Sequence, residues 1–346
     1  MANPNLVRKP AYDVNGLGEA SPLDIVTGAS RDQNFIHNGA MDFFQRGASA
    51  SVTTEINGPA DRWSVGRTSG SVVATVSAST DVPANGKSFF SLQWQTTTAA
   101  AMTSTDRIGI FQKIEGQFAR VFYNETVTLS FWVKSALTGV HSVWFGNGAA
   151  ANGFYITSYT INTPNTWEYK TITVNMANKI GTWSTDNTIG MYVYFSLGAA
   201  VQTATANTWT SSTASLALPG QVNLGATVGN QFKITQVMLN IGSVPAPFVT
   251  AGRTFDNELK ICQRYYEVGN YIASGYNGGA GVIPTSSCSF LVTKRAAPSL
   301  TQTYLNGSFT VNNFGTSTVN NFNVNVNIPG AGVGYVYFSW TADAEM

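Results

Sequence analysis

The sequence predicts a mainly β protein: an antiparallel sandwich, one short helix and a smaller C-terminal β-domain. Three observations carry this. First, apolar and polar residues alternate with period two, the mark of strands with one buried face. Val127, Leu129, Phe131 and Val133 point one way, leaving Thr128, Ser130, Trp132 and Lys134 on the other side. Ile189, Met191, Val193, Phe195 and Leu197 repeat the pattern, with Tyr192 and Tyr194 turned away. Second, the 346 residues are rich in Thr, Ser, Asn and Gly, with 12% aromatic and 11% charged residues. That composition suits polar-faced strands joined by tight turns. Third, one stretch, 253–267, has a strong helical period: Phe255, Leu259, Cys262 and Tyr266 form one apolar stripe.

Along the chain, residues 1–33 carry Pro4, Pro10, Gly16, Gly18, Pro22 and Gly28 and no sustained periodicity, so they read as an extended arm. Leu6, Val7, Tyr12, Leu17 and Leu23 are too sparse for a core but can order against another protein; a disordered tail is the alternative. Residues 34–244 form the sandwich, with further strands expected at 88–95, 108–114, 154–161, 167–176 and 232–241. The Ala/Thr/Ser-rich stretch 198–230 reads as a long insertion loop. Residues 245–275 are a linker and the helix. Pro245-Ala-Pro247 breaks the chain ahead of it, Thr254 is the expected N-cap, and Gly269 is the expected stop. Residues 276–346 form the second β-domain. Asn306-Gly307 signals a type I′ hairpin, Phe322-Asn-Val-Asn-Val-Asn-Ile328 alternates strictly, and Tyr335-Val-Tyr-Phe-Ser-Trp340 closes the chain as a strand. So small a unit is near the lower size limit for an independent core, and assembly with further copies would relieve that.

Several functions are disfavoured. A net charge of +1 supplies no basic field, so nucleic acid is not an expected partner. No apolar run approaches the ~20 residues of a membrane span, and the first ten residues lack the hydrophobic segment of a secretory leader, so no membrane insertion is expected. Cys262 and Cys288 lack metal-ligand spacing and read as two buried free thiols, a bridge between them being the alternative. Neither 187–255 nor 268–342 contains Asp, Glu or His. Asp61, Asp81, Asp106, Glu115, Glu125, Glu168 and Asp186 are scattered, mostly beside turn residues, and a carboxylate dyad for glycoside hydrolysis finds no supporting spacing. His37 and His141, the only histidines, fall short of a zinc site, and Gly278-Gly-Ala-Gly281 reads as a turn rather than a phosphate loop. No catalytic residue, metal or cofactor is expected.

Two segments carry a family resemblance. Gly242-Ser-Val-Pro-Ala-Pro-Phe248 followed by Glu258-Leu-Lys-Ile-Cys-Gln-Arg-Tyr-Tyr266 resembles a segment of bacteriophage tail-fibre and head-fibre proteins, in which a β-sandwich precedes a helix with the pattern E-L-x-x-C-Q-R-Y-Y. Asn34-Phe-Ile-His-Asn-Gly39 and Gln45-Arg-Gly47 are similar to the opening strand of the same proteins, whose sandwich is similar to a carbohydrate-binding jelly roll. The resemblance implies a trimeric virion appendage, assembled in the bacterial cytoplasm, anchored to capsid or tail proteins by its N-terminal arm and adhering to host-surface polysaccharide. Such jelly rolls often hold calcium through an acid in the last strand; residues 232–239 contain none, against that ion here.

Sugar binding needs aromatic faces beside amides and hydroxyls. Trp132, Tyr192 and Tyr194 project from polar strand faces, Trp144, Tyr155 and Tyr159 lie on neighbouring elements, and Trp183 and Trp209, in Thr/Ser-rich loops, are expected to be the most exposed. The competing reading of these rings is a subunit interface or a second core. Two other functions stay open: a decoration or connector protein that binds no sugar, and a polysaccharide depolymerase.

Overall fold

The computed structural model describes residues 33–346 apart from 69 and 149–151. The expected anchoring arm, with Leu6, Val7, Tyr12, Leu17 and Leu23, thus lies outside the described residues. The protein is mainly β, an antiparallel jelly-roll sandwich followed by a short helix and a smaller β-sandwich. The first unit contains β1 (Ser49–Val52), β2 (Ile56–Asn57), β3 (Trp63–Thr68), β4 (Val73–Ser79), β5 (Ser91–Thr98), β6 (Arg107–Glu115), β7 (Thr126–Ser135), β8 (Gly139–Gly146), β9 (Phe154–Ile161), β10 (Glu168–Asn175), β11 (Ile189–Ala199), β12 (Thr208–Thr210) and β13 (Gln231–Ile241). They form two sheets, in the orders β1-β4-β5-β13-β7-β10 and β12-β9-β8-β11-β6-β3-β2. Among the described residues, no helix is long and apolar enough to cross a membrane.

The predicted alternation builds the main core. Val127, Leu129, Phe131 and Val133 of β7 are fully buried, facing Met191, Val193, Phe195 and Leu197 of β11 across the sandwich. Phe131 meets Phe195 edge-on at 5.0 Å. Each such side chain contributes roughly 1.5–3 kcal/mol on burial, so this one strand pair is a major part of the stabilisation.

Asn34-Phe-Ile-His-Asn-Gly39 is not a strand. It lies against β13 where that strand bulges between Thr235 and Met238, and Gln236 takes a φ of 51°. Asn34 fixes the contact: its Nδ2 donates to the carbonyls of Val237 and Val249, and its Oδ1 accepts from the N–H groups of Ile36 and Leu239. Asn38 does the same for the next turn, donating to the Phe43 and Asp61 carbonyls and accepting from the N–H groups of Asp42 and Phe43. Both amides satisfy backbone groups that would otherwise be buried unpaired.

The helix spans Phe255–Gln263, and the Thr254 hydroxyl accepts from the Asn257 N–H at 3.3 Å, as expected of an N-cap. Asp256 and Glu258 in its first turn complement the helix dipole. It ends six residues before Gly269, because Tyr266 already pairs with Asp343 as the start of the next strand. Gly269 sits under the Trp340 ring, where a Cβ would come within 2.4 Å. The buried helix face also differs from the predicted stripe: it is Glu258, Cys262 and Gln263, while Phe255 is 58% exposed.

The reason is that the helix lies in the joint between the two sandwiches, where polar groups make the contacts. Glu258 accepts from the N–H groups of Asn38 and Gly252. Arg264 grips Glu115 with two bonds of 3.0 and 3.1 Å, and the Tyr265 hydroxyl donates to the same carboxylate. The Arg62 guanidinium lies 3.3 Å from the Tyr265 ring centroid and pairs with Glu345, while Arg46 lies 3.7 Å from the Tyr266 ring centroid and pairs with Asp343. Glu115, at the end of β6, is therefore a buried partner in the joint and not a turn residue, while Asp61 does lie in a turn but is buried there. Of the two thiols, both free, Cys262 is buried but Cys288 is half-exposed.

The second unit contains β14 (Tyr266–Asn277), β15 (Gly281–Ser289), β16 (Ser299–Gly307), β17 (Thr310–Ser317), β18 (Asn321–Ile328) and β19 (Gly332–Asp343), in sheets β14-β19-β16 and β15-β18-β17. It takes in residues from Tyr266, ten before the expected boundary. Strict alternation on β18 holds: Phe322, Val324, Val326 and Ile328 pack against Val336, Phe338, Trp340 and Ala342 of β19. The hairpin at Asn306-Gly307 does not form, since β16 and β17 belong to opposite sheets. The N–H groups of Ser308 and Phe309 both bond the Tyr335 carbonyl, and Gly307, at φ +143°, carries the chain across the corner.

Candidate functional site

The outer face of the second sheet carries a ring-floored groove, and strand register explains it. Tyr194 on β11 sits opposite Trp144 on β8 and Phe111 on β6, so three rings occupy one row across three strands. Neighbouring strands are ~4.8 Å apart, which makes such a row stack. Trp144 and Tyr194 are 4.6 Å apart at 13°, and Tyr194 and Phe111 are 5.2 Å apart at 16°. Glycines in the flanking rows make room for them. Gly109 pairs with Ser196, and a Cβ there would meet the Tyr194 ring at 2.3 Å; Gly146 pairs with Tyr192 and lies under Phe154, at 2.5 Å.

The stretch 198–230 is not a loose insertion. It adds β12 to the sheet edge beside β9, and Leu216 and Leu218 pack over Trp144, Tyr194, Phe111, Phe154 and Ile156. The Leu218 N–H bonds the Ser142 hydroxyl at 2.9 Å, tying the segment down. What remains uncovered is a groove of about 270 Å³. Phe111, Trp144, Phe154, Tyr192 and Tyr194 form its floor, and Glu55, Thr68, Arg107, Asn147, Asn152 and Thr213 are among its polar lining. Tyr192 is the half-exposed ring; Phe111, Trp144 and Tyr194 are 4–7% exposed. Among the described residues, the buried Trp144 Nε1–H has no hydrogen-bond partner. Burial raises the Tyr192 phenol above its ordinary pKa, with the Glu55 charge adding to it, so it is a neutral donor and acceptor at physiological pH.

Of the eight rings singled out by sequence, Trp144, Tyr192 and Tyr194 meet here. Trp132 does not: it lies on the outer face of the opposite sheet, paired with Tyr169 at 5.6 Å. Tyr159 points inward, edge-on to Phe131 at 5.0 Å and stacked on His141. Trp183, expected to be exposed, is buried at 8%. Its Nε1–H is satisfied by the Ile180 carbonyl, and its ring packs edge-on to Tyr123 and Trp209. Trp209 is half-buried between Trp183 and Tyr155, which itself packs against the main core. Sequence reasoning missed Phe111 and Phe154; both lie on strands it expected, at positions in phase with the outward residues. Both histidines are buried. Burial lowers His37 to about 3 and His141 to about 4, with cationic Arg62 and Arg264 adding to the first shift. Among the described residues no group of three His, Cys, Asp or Glu side chains is placed to hold a metal ion.

No family profile and no curated protein matches the chain. Similar solved structures include the enzymatically active domain of tailspike protein 4 of bacteriophage CBA120, at 16% identity and TM-score 0.36, over 62% of this chain and 22% of that one. A family 11 carbohydrate-binding module of a cellulosomal cellulase of Clostridium thermocellum has 12% identity and TM-score 0.32, over 54% and 90%. The C-terminal family 22 carbohydrate-binding module of another Clostridium thermocellum protein has 15% identity and TM-score 0.30, over 62% and 98%. Likeness at this level assigns neither ligand nor activity to the chain.

Proposed function

We propose that the protein adheres to host-surface glycan through the groove on β9-β8-β11-β6, as a non-enzymatic subunit of a phage virion appendage. The observation that carries this is the groove itself: a ring-floored trough with amide, hydroxyl and guanidinium groups along it, the mixture that a sugar's C–H face and hydroxyls require. Tyr192 supplies the accessible face, and the stacked Trp144, Tyr194 and Phe111 hold the floor rigid beneath it. Titration of host polysaccharide fragments into Tyr192→Ala is expected to show on the order of tenfold weaker binding than wild type, ~1.4 kcal/mol. Trp132→Ala, on the opposite sheet, leaves binding unchanged. Release of reducing ends by the isolated protein would turn the reading to depolymerase.

The rest of the proposal concerns assembly in the virion. The arm 1–33 anchors the subunit to capsid or tail protein through Leu6, Val7, Tyr12, Leu17 and Leu23, and three copies associate through their C-terminal units. A chain lacking 1–33 then folds but fails to enter particles. The connector reading has one specific observation in its favour, the near-complete burial of three groove rings under Leu216 and Leu218. Unaltered adsorption of particles carrying Tyr192→Ala would decide for it.

A further inference from the structure

We infer that the groove selects an anionic glycan, one whose sugar units carry a carboxylate, and that Arg107 is the residue that reads it. The inference rests on the adhesive reading above and narrows its ligand class. Arg107 opens β6 in phase with Phe111, so it projects from the same outer face as the ring stack while Ile108 and Ile110 point into the core. Its Nε donates to the Thr68 hydroxyl at 3.2 Å, which fixes the head against β3. Among the described residues, neither terminal nitrogen of Arg107 has a bond and no carboxylate lies within 4.0 Å of it. Arg107 lines the groove together with the Tyr194 ring, beside the floor.

The other charges along the groove do not cancel it. Glu55 is held by the Lys113 ammonium at 3.3 Å, and Lys113 also donates to the Met346 carbonyl. Asp106, buried at the adjoining end, accepts from the Thr103 N–H at 3.0 Å. Arg67 is a second cation on the lining, with its Nε and Nη1 already given to the Thr53 and Gly70 carbonyls. The groove therefore presents a guanidinium anchored through its Nε, whose free edge matches a carboxylate in a two-bond fork, beside rings that take the sugar body. A neutral sugar would satisfy the rings but offer that edge only hydroxyl oxygens, without the charge pairing that a carboxylate adds.

The test is an array of oligosaccharides containing galacturonate, glucuronate or N-acetylneuraminate beside their carboxyl-reduced counterparts, probed with the full-length protein at low and high salt. The inference expects the acidic members to bind at least tenfold more tightly than the reduced ones, with the advantage shrinking as salt rises. Arg107→Gln should erase the advantage while leaving the thermal melt unchanged, and Arg107→Lys should restore only part of it. Equal binding of acidic and reduced sugars overturns the inference and leaves adhesion standing. Acid preference that survives Arg107→Gln overturns the role of Arg107. Absence of binding to every member, acidic and neutral, overturns the adhesive reading together with it.

Discussion

His141 shows how one buried side chain sets a pH dependence. It faces the core from β8, stacked on Tyr159 at 5.4 Å, with its Nε2 3.4 Å from the Leu137 carbonyl and its Nδ1 unpartnered among the described residues. Burial lowers its pKa to about 4 from the ordinary 6.5, so the unfolded chain binds a proton that the folded chain refuses. The stability it contributes is present above pH 6.5 and is lost as pH falls toward 4, a change of ~3 kcal/mol over that window. His141→Gln removes the titration. Its stability relative to wild type should rise by about that amount between pH 7 and pH 4 in denaturant melts; a constant difference would show that the ring is hydrated and not desolvated. Little of this was visible in the sequence, where His141 is one of two isolated histidines. The same is true of Trp183 and Glu115, whose Ser/Thr and turn-like neighbours report the local chain and not the distant Tyr123 or Arg264 that bury them.

Strands are legible where apolar residues alternate with polar or aromatic ones, since period two then survives in the sequence. β7, β11 and β18 are such cases, and their inward residues are the ones expected, although only β18 has a largely wet outer face. The reading failed where a distant partner outbids a local signal: Asn306-Gly307 has the residues for a tight turn, but Tyr335 on β19 captures the next two N–H groups. It failed in the helix because a polar joint, not a core, buries one face. In the groove, three rings could be named from sequence, yet their meeting depended on the register of β8, a strand not expected, and on Gly109. That glycine gives the clearest test of how the element shapes the site. Gly109→Val would drive a branched side chain into the Tyr194 ring, which must lift off the sheet and carry Trp144 and Leu216 with it. A loss of about 1–3 kcal/mol in stability is expected, as for other overpacked sites, together with loss of glycan binding. Wild-type affinity in that variant would mean that the stacked row plays no part in recognition.

The two sandwiches differ in what they leave uncovered, and this bears on assembly. On the outer face of β14-β19-β16, Val268, Ile272 and Tyr276 alternate with inward residues on β14; on β19, Tyr337 pairs with Ile272, Val333 with Tyr276, and Tyr335 with Ser274 between them. Val333 is 83% exposed and Ile272 63%, and no charged residue occurs between 268 and 342 except Lys294 and Arg295, at the joint end. Exposed Val268, Ile272, Tyr276, Val333 and Tyr335 make this face a contiguous apolar patch of several hundred Å², the size at which such patches mark interaction sites. A surface without charge meets a copy of itself with no repulsion and no stranded ion, which accords with the self-association proposed above. Trimerisation through this face should then be visible in sedimentation equilibrium of the full chain. Ile272→Lys with Val333→Glu would put charges into a dry contact at several kcal/mol, enough to give a monomer with unchanged circular dichroism. A wild-type chain that sediments as a monomer at every concentration would remove the trimer. A trimer that persists in the double variant would move the contact to another face, and in either event the small C-terminal unit would be stable on its own core of Phe322, Phe338 and Trp340.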